Sequence, residues 1–151
     1  MKLTQKEISL LNELKAQEQV CVEKYKRYSN EANDNQLKLA FTKIGQHETE
    51  HINTLNAILS GVEPTLPPVN NAGETFTKTY ATLSTDQKAQ ADCYLCTDAL
   101  SSEKHVSSLY DTCVFEFAQP ALRQALSHIQ KEEQNHGKII YDYMAANAMY
   151  N

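Results

Sequence analysis

The sequence predicts an all-α chain, a single domain over residues 1–151 folded as an antiparallel four-helix bundle with one long crossover between helices 2 and 3. Three observations predict it. Apolar residues recur at three-four spacing in four separate stretches, the pattern of a helix with one buried face. Between the second and third stretches lie Pro64, Pro67 and Pro68 and the run NNAG at 70–73, a composition suited to an extended connection. The two pairs of stretches also repeat the same polar residues on their stripes. Glu18 and Glu103, Tyr25 and Tyr110, Glu48 and Glu133, and His51 and His136 are each separated by 85 residues.

Helix 1 is expected over about 5–32. Thr4 and Glu7 have capping-box spacing, and Leu3 is placed to act as a hydrophobic staple. Its stripe is Ile8, Leu11, Glu18, Val22, Tyr25, Ser29 and Ala32, widened by Leu14, Cys21 and Tyr28. Asn33 and Asp34 then break the pattern, with Asn33 and Gln36 at capping-box spacing, so helix 2 should run back along helix 1 over about 35–59. Leu37, Phe41, Ile44, Glu48, His51, Leu55 and Ile58 keep the alternating rhythm of a bundle seam, and Gly61 ends the helix.

The crossover occupies about 62–84, within which TFTKTYATL at 75–83 has the composition to add a helical turn. A connection of this length in a compact domain is explained by the need to join two helices that run in the same direction. Ser84 and Gln87 mark the start of helix 3, about 85–117, with the stripe Cys96, Ala99, Glu103, Val106, Tyr110, Cys113 and Phe117. Pro120 suits the first turn of helix 4, about 120–146, whose stripe is Leu122, Leu126, Ile129, Glu133, His136, Ile140 and Tyr143. The tail NAMYN is expected to fray or dock loosely.

The polar residues on these stripes carry the functional reading. A single Glu-x-x-His is ordinarily a solvated pair at helical spacing. Here two copies, Glu48 with His51 and Glu133 with His136, fall on core positions together with Glu18 and Glu103. Four unpaired carboxylates in one apolar core would each cost several kcal/mol or take up a proton. Two divalent cations would balance the four charges and leave both histidines neutral to bind through one ring nitrogen. This is the side-chain set of a dinuclear carboxylate site in a helix bundle. The other reading of the same residues is a site that holds only a proton or water network.

Tyr25 and Tyr110 suit either hydrogen-bond donation that orients carboxylates or plain packing. His47, His105 and His128 have no partner at ligand spacing and are expected to be exposed or capping, while Glu50 and Glu132 lie off the seam and read as surface charges. Cys93 and Cys96 form a CxxC on helix 3, either a redox pair serving the metal centre or two small helix residues. Cys21 and Cys113 do not form a second CxxC, which argues against a structural zinc site. The formal charge of −5 comes without a basic stripe, which argues against nucleic acid as a partner. No apolar run approaches membrane-spanning length, and MKLTQKEISLLNEL is amphipathic and unlike a signal peptide, which predicts synthesis in the cytoplasm.

The Glu, Tyr, Glu-x-x-His order of each half resembles the ferritin-like superfamily and is similar to rubrerythrin. Residues 94–151, including VFEF and HIQKEEQNHG, resemble the spore coat protein F family more narrowly, as does QEQVCVEKYKRYSNEA in the first half. The first resemblance implies two metal ions, iron or manganese, held by Glu18, Glu48, His51, Glu103, Glu133 and His136. Glu48 and Glu133 would bridge the ions, and Glu18 and Glu103 would be terminal. It further implies oxidase or peroxide-scavenging chemistry on dioxygen or peroxide. This chain lacks a cysteine-rich rubredoxin segment, and Val106 stands where rubrerythrin-like sites carry a further carboxylate. The second resemblance implies association with the spore coat, with other coat proteins or a second copy as partners. It also admits a structural coat protein without turnover, in which Tyr141, Tyr143 and Tyr150 serve packing or cross-linking.

Overall fold

The computed structural model describes residues 1–69 and 74–150, and the NNAG run and Asn151 lie outside them. Among the described residues there are four helices and no strand: α1 (Gln5–Glu31), α2 (Asn35–Leu59), α3 (Gln87–Glu116) and α4 (Pro120–Ala146). Their caps are local. Thr4 and Glu7 close a reciprocal capping box at the start of α1. Of Asn33 and Asp34, the two residues placed to cap α2, Asp34 does so, its carboxylate accepting from Gln36 N. α3 begins two residues later than the Ser84 and Gln87 spacing predicts, because the Asp86 carboxylate accepts from both Lys88 N and Ala89 N. Pro120 opens α4, and Gly61, at φ +79°, follows α2 in the left-handed conformation that glycine adopts without steric penalty.

α1 packs chiefly on α2 and α3 on α4, with narrower contacts between α1 and α3 and between α2 and α4. Leu11, Leu14, Leu37, Phe41, Ile44, Leu55, Ile58, Leu122 and Leu126 are fully buried along these faces. Each such side chain contributes about 1.5 to 3 kcal/mol of transfer free energy. Gly45 lets α2 approach α1 closely, since a Cβ there would lie 3.3 Å from Tyr25 Cβ. Partners along α1 and α3 pair in opposing order: Lys6 meets Glu116, Lys24 meets Ser102 and Tyr28 meets Asp98.

One expectation is corrected outside the helices, and the alternative for the tail is resolved. Residues 75–83 add no helical turn. Side chains take their backbone groups instead: Gln36 Oε1 accepts from Thr77 N, and Asn147 Oδ1 accepts from Thr79 N and Tyr80 N. The same Asn147, 2% exposed, and the buried Met149 show that the chain after α4 is docked and not frayed through Met149. Residues 74–80 thus lie along α2 and α4, with Phe76 edge-on to Tyr143 and Lys43 paired with Glu74.

Candidate metal centre

Each helix brings one stripe to the centre of the bundle, and the polar members of the four stripes meet there. α1 supplies Glu18, α2 supplies Glu48 and His51, α3 supplies Glu103, and α4 supplies Glu133 and His136. None is more than 4% exposed. Two groups of donors form, Glu18, Glu48, His51 and Glu133 on one side and Glu48, Glu103, Glu133 and His136 on the other, each with donor atoms within 4.8 Å of one another. Glu48 and Glu133 belong to both.

The geometry around the histidines is informative. His51 Nδ1 lies 3.0 Å from Glu133 Oε1, 3.1 Å from Glu48 Oε2 and 3.6 Å from Glu18 Oε1. His136 Nδ1 lies 3.2 Å from Glu48 Oε1 and 3.6 Å from both Glu103 Oε1 and Glu133 Oε2. An imidazole Nδ1 carries at most one hydrogen, so it cannot satisfy three converging carboxylates. Donors held about 2.1 Å from one cation sit about 3.0 to 3.4 Å from their neighbours in octahedral or tetrahedral geometry, close to these separations. In addition, Glu18 Oε2, Glu103 Oε2 and Glu133 Oε2 are buried with no hydrogen-bond partner. Unmet buried carboxylate oxygens of this kind fit a divalent cation.

The tyrosines cross between the repeats. Tyr25 of α1 donates to Glu103 Oε1 of α3, and Tyr110 of α3 donates to Glu18 Oε1 of α1 at 2.6 Å. Each phenol therefore holds one oxygen of a carboxylate whose other oxygen is unpaired. Burial, reinforced by the charge on Glu103 for Tyr25 and on Glu18 for Tyr110, keeps both phenols protonated.

The crowding of carboxylates governs the electrostatics of the site. Burial and the charges of Glu18 and Glu103 push the Glu48 carboxyl up to about 7. Burial and the charge of Glu133 push Glu103 up to about 8 and raise Glu18 as well. Burial opposes charge on His51 and His136, but hydrogen bonding to carboxylates, Glu132 first, at His51 and the charge of Glu103 with the neighbouring carboxylates at His136 outweigh it and raise both. Burial and the charge of Glu48 work against the Glu133 anion too, and the surrounding Glu103, His136 and His51 side chains bring it below the ordinary value. Without a cation, the site must share protons among like charges.

Two residues expected on the surface or in capping roles belong to this assembly. Glu132 Oε1 lies 3.2 Å from His51 Nε2, and His47 Nδ1 lies 3.0 Å from His136 Nε2. Both sit one position before a seam glutamate, at the helix edge, where a side chain reaches across to the facing helix. The 85-residue offset, which also relates His47 to Glu132, was the signal that could have found them. His128 is likewise engaged, its Nδ1 3.3 Å from Glu132 and its Nε2 2.6 Å from the Pro67 carbonyl. His105 and Glu50 are exposed.

The four cysteines are free thiols. Cys96 is buried, and burial together with the Asp92 charge raises its thiol, which disfavours the reactive thiolate, while Cys93 is half-buried.

No curated protein and no solved structure matches the chain. Residues 91–151 match the family model described as Coat F domain. That match takes in most of α3 and all of α4, with Glu103, Tyr110, Glu133 and His136, and leaves QEQVCVEKYKRYSNEA and the ligand candidates of α1 and α2 outside it. The likeness to the Coat F domain is thus confined to residues 91–151, the C-terminal part of the chain.

Proposed function

We propose that the chain is a ferritin-like protein of the spore coat whose antiparallel bundle holds two metal ions, iron or manganese, between its four helices. The observation that carries the reading is the convergence of three carboxylates on each of two histidine Nδ1 atoms, beside three unpartnered buried carboxylate oxygens. The Coat F domain supports a spore coat location. The opposing order of partners along α1 and α3 supports the antiparallel arrangement.

In this reading Glu18 and His51 would hold one ion and Glu103 and His136 the other, with Glu48 and Glu133 common to both donor groups. Bound iron or manganese would supply redox chemistry toward dioxygen or peroxide. The protein's own residues do the rest. Tyr25 and Tyr110 fix the terminal carboxylates, Glu132 and His47 fix the histidine rings, and the apolar stripes exclude bulk water.

Metal analysis of the purified protein tests the claim. About two ions per chain are expected, and a Glu48→Ala, Glu133→Ala double variant should lose both. A folded protein that takes up no iron or manganese would overturn it.

A structural coat protein without turnover is the second reading, and the exposed Phe115 and Tyr94, 81% and 72% accessible, favour it as surfaces for other coat proteins or a second copy. Unchanged incorporation into the insoluble coat when the ligands are substituted would speak for this reading over a catalytic one.

A further inference from the structure

The inner donors of the two half-sites are alike, but their supports are not. His51 and His136 both turn Nδ1 inward and Nε2 outward, so an Nδ1 bound to a cation leaves an Nε2–H to be accepted outside. For His51 the acceptor is the Glu132 carboxylate, 3.2 Å away and itself 3.3 Å from His128 Nδ1. For His136 it is the His47 ring, at 3.0 Å. Glu132 and His47 occupy the same place in the 85-residue repeat. The repeat has therefore kept the ligands and changed what stands behind them.

A carboxylate that accepts the imidazole N–H makes the ring a stronger ligand and fixes its orientation, and it places a negative charge near the cation. A neutral imidazole acceptor orients the ring but adds no charge. A further difference within the repeat close to the ligands, Cys21 against Val106, adds none either, because burial and the surrounding glutamates keep the Cys21 thiol protonated.

We propose that the two metal positions are graded: the Glu18–His51 position, backed by Glu132, fills first and binds more tightly, and the Glu103–His136 position, backed by His47, fills second. Glu132 and His47 are the positioning residues that set this order. The inference rests on the dinuclear reading above.

The test is limiting Mn(II) added to the full-length apo-protein, with occupancy at each position read from anomalous scattering and affinities from calorimetric titration. Repulsion between bound ions separates the steps of two equal sites but leaves their occupancies equal, so position is the deciding readout. With one equivalent, occupancy should concentrate at the Glu18–His51 position. Glu132→Gln should weaken that position by about tenfold and even out the occupancies. His47→Glu should strengthen the other position, and the exchanged pair His47→Glu with Glu132→His should reverse the order. The separate effect of His47→Glu keeps the test decisive should Glu132→Gln fold poorly. Equal occupancy in the wild type, or exchange variants that leave the order unchanged, would overturn the grading while two bound ions kept the dinuclear reading intact. A wild type that binds no Mn(II) or iron would remove both.

Discussion

Asp34 and Asp92 are buried nearly as completely as the glutamates of the central site, yet they are surrounded by donors where the glutamates are not. Asp92 Oδ1 accepts from Asn33 N and Nδ2, and Oδ2 accepts from Asp34 N and the Tyr80 hydroxyl. Asp34 Oδ1 accepts from Gln36 N, and Oδ2 from the Tyr143 hydroxyl at 2.8 Å. Every oxygen of this pair has a protein donor, so the cluster ties the α1–α2 turn to α3, α4 and the crossover. At the central site three carboxylate oxygens have none. The same residue chemistry at similar burial thus separates a carboxylate cluster satisfied by protein donors from one that is not.

Variants should divide along this line. The largest effect on stability belongs to Asp92→Ala, which strands the amides of Asn33 and Asp34 and the Tyr80 hydroxyl. A loss of about 3 kcal/mol is expected in denaturant unfolding, with the number of bound metal ions unchanged in the folded protein. A large loss of metal without a loss of stability would break the comparison.

Glu103→Gln should do the opposite to the apo-protein. It removes a charge that burial disfavours, so at pH 8 the apo-form should gain roughly 1 to 2 kcal/mol while metal affinity falls. The pH dependence follows the same physics. Glu48 and Glu103 are raised from 4.5 to about 7 and about 8 on folding, so they bind protons more tightly in the native state. The stability they contribute is complete below about pH 4.5 and declines as pH rises through about 7 to 8. The raised histidines act in the same direction above their ordinary 6.5. Apo-protein melting should therefore drop between pH 5.5 and 8.5, and saturating metal, which binds the deprotonated ligands, should remove the drop. A smaller change is expected from Tyr25→Phe and Tyr110→Phe, each weakening metal binding by about tenfold through loss of the phenol that holds a carboxylate.

The four stripes and the polar residues on them were readable in the sequence because helix period converts spacing directly into a shared face. Glu18, Glu48, Glu103 and Glu133 meet for that reason. What spacing does not encode is which side chains reach across from helix edges. Glu132 and His47 point over to facing helices, and the tyrosines exchange carboxylates between the two repeats. Asn147 resisted prediction on different grounds: it gains its role only because the crossover happens to lay the amides of Thr79 and Tyr80 beside it.

Anomalous diffraction from crystals of the iron- or manganese-loaded protein tests the central claim most directly. The claim predicts two peaks about 3.5 to 4 Å apart among Glu18, Glu48, His51, Glu103, Glu133 and His136, with Glu48 and Glu133 between them. Loaded crystals with no ion at this position, and only water or protonated carboxyls joining the six residues, would contradict it.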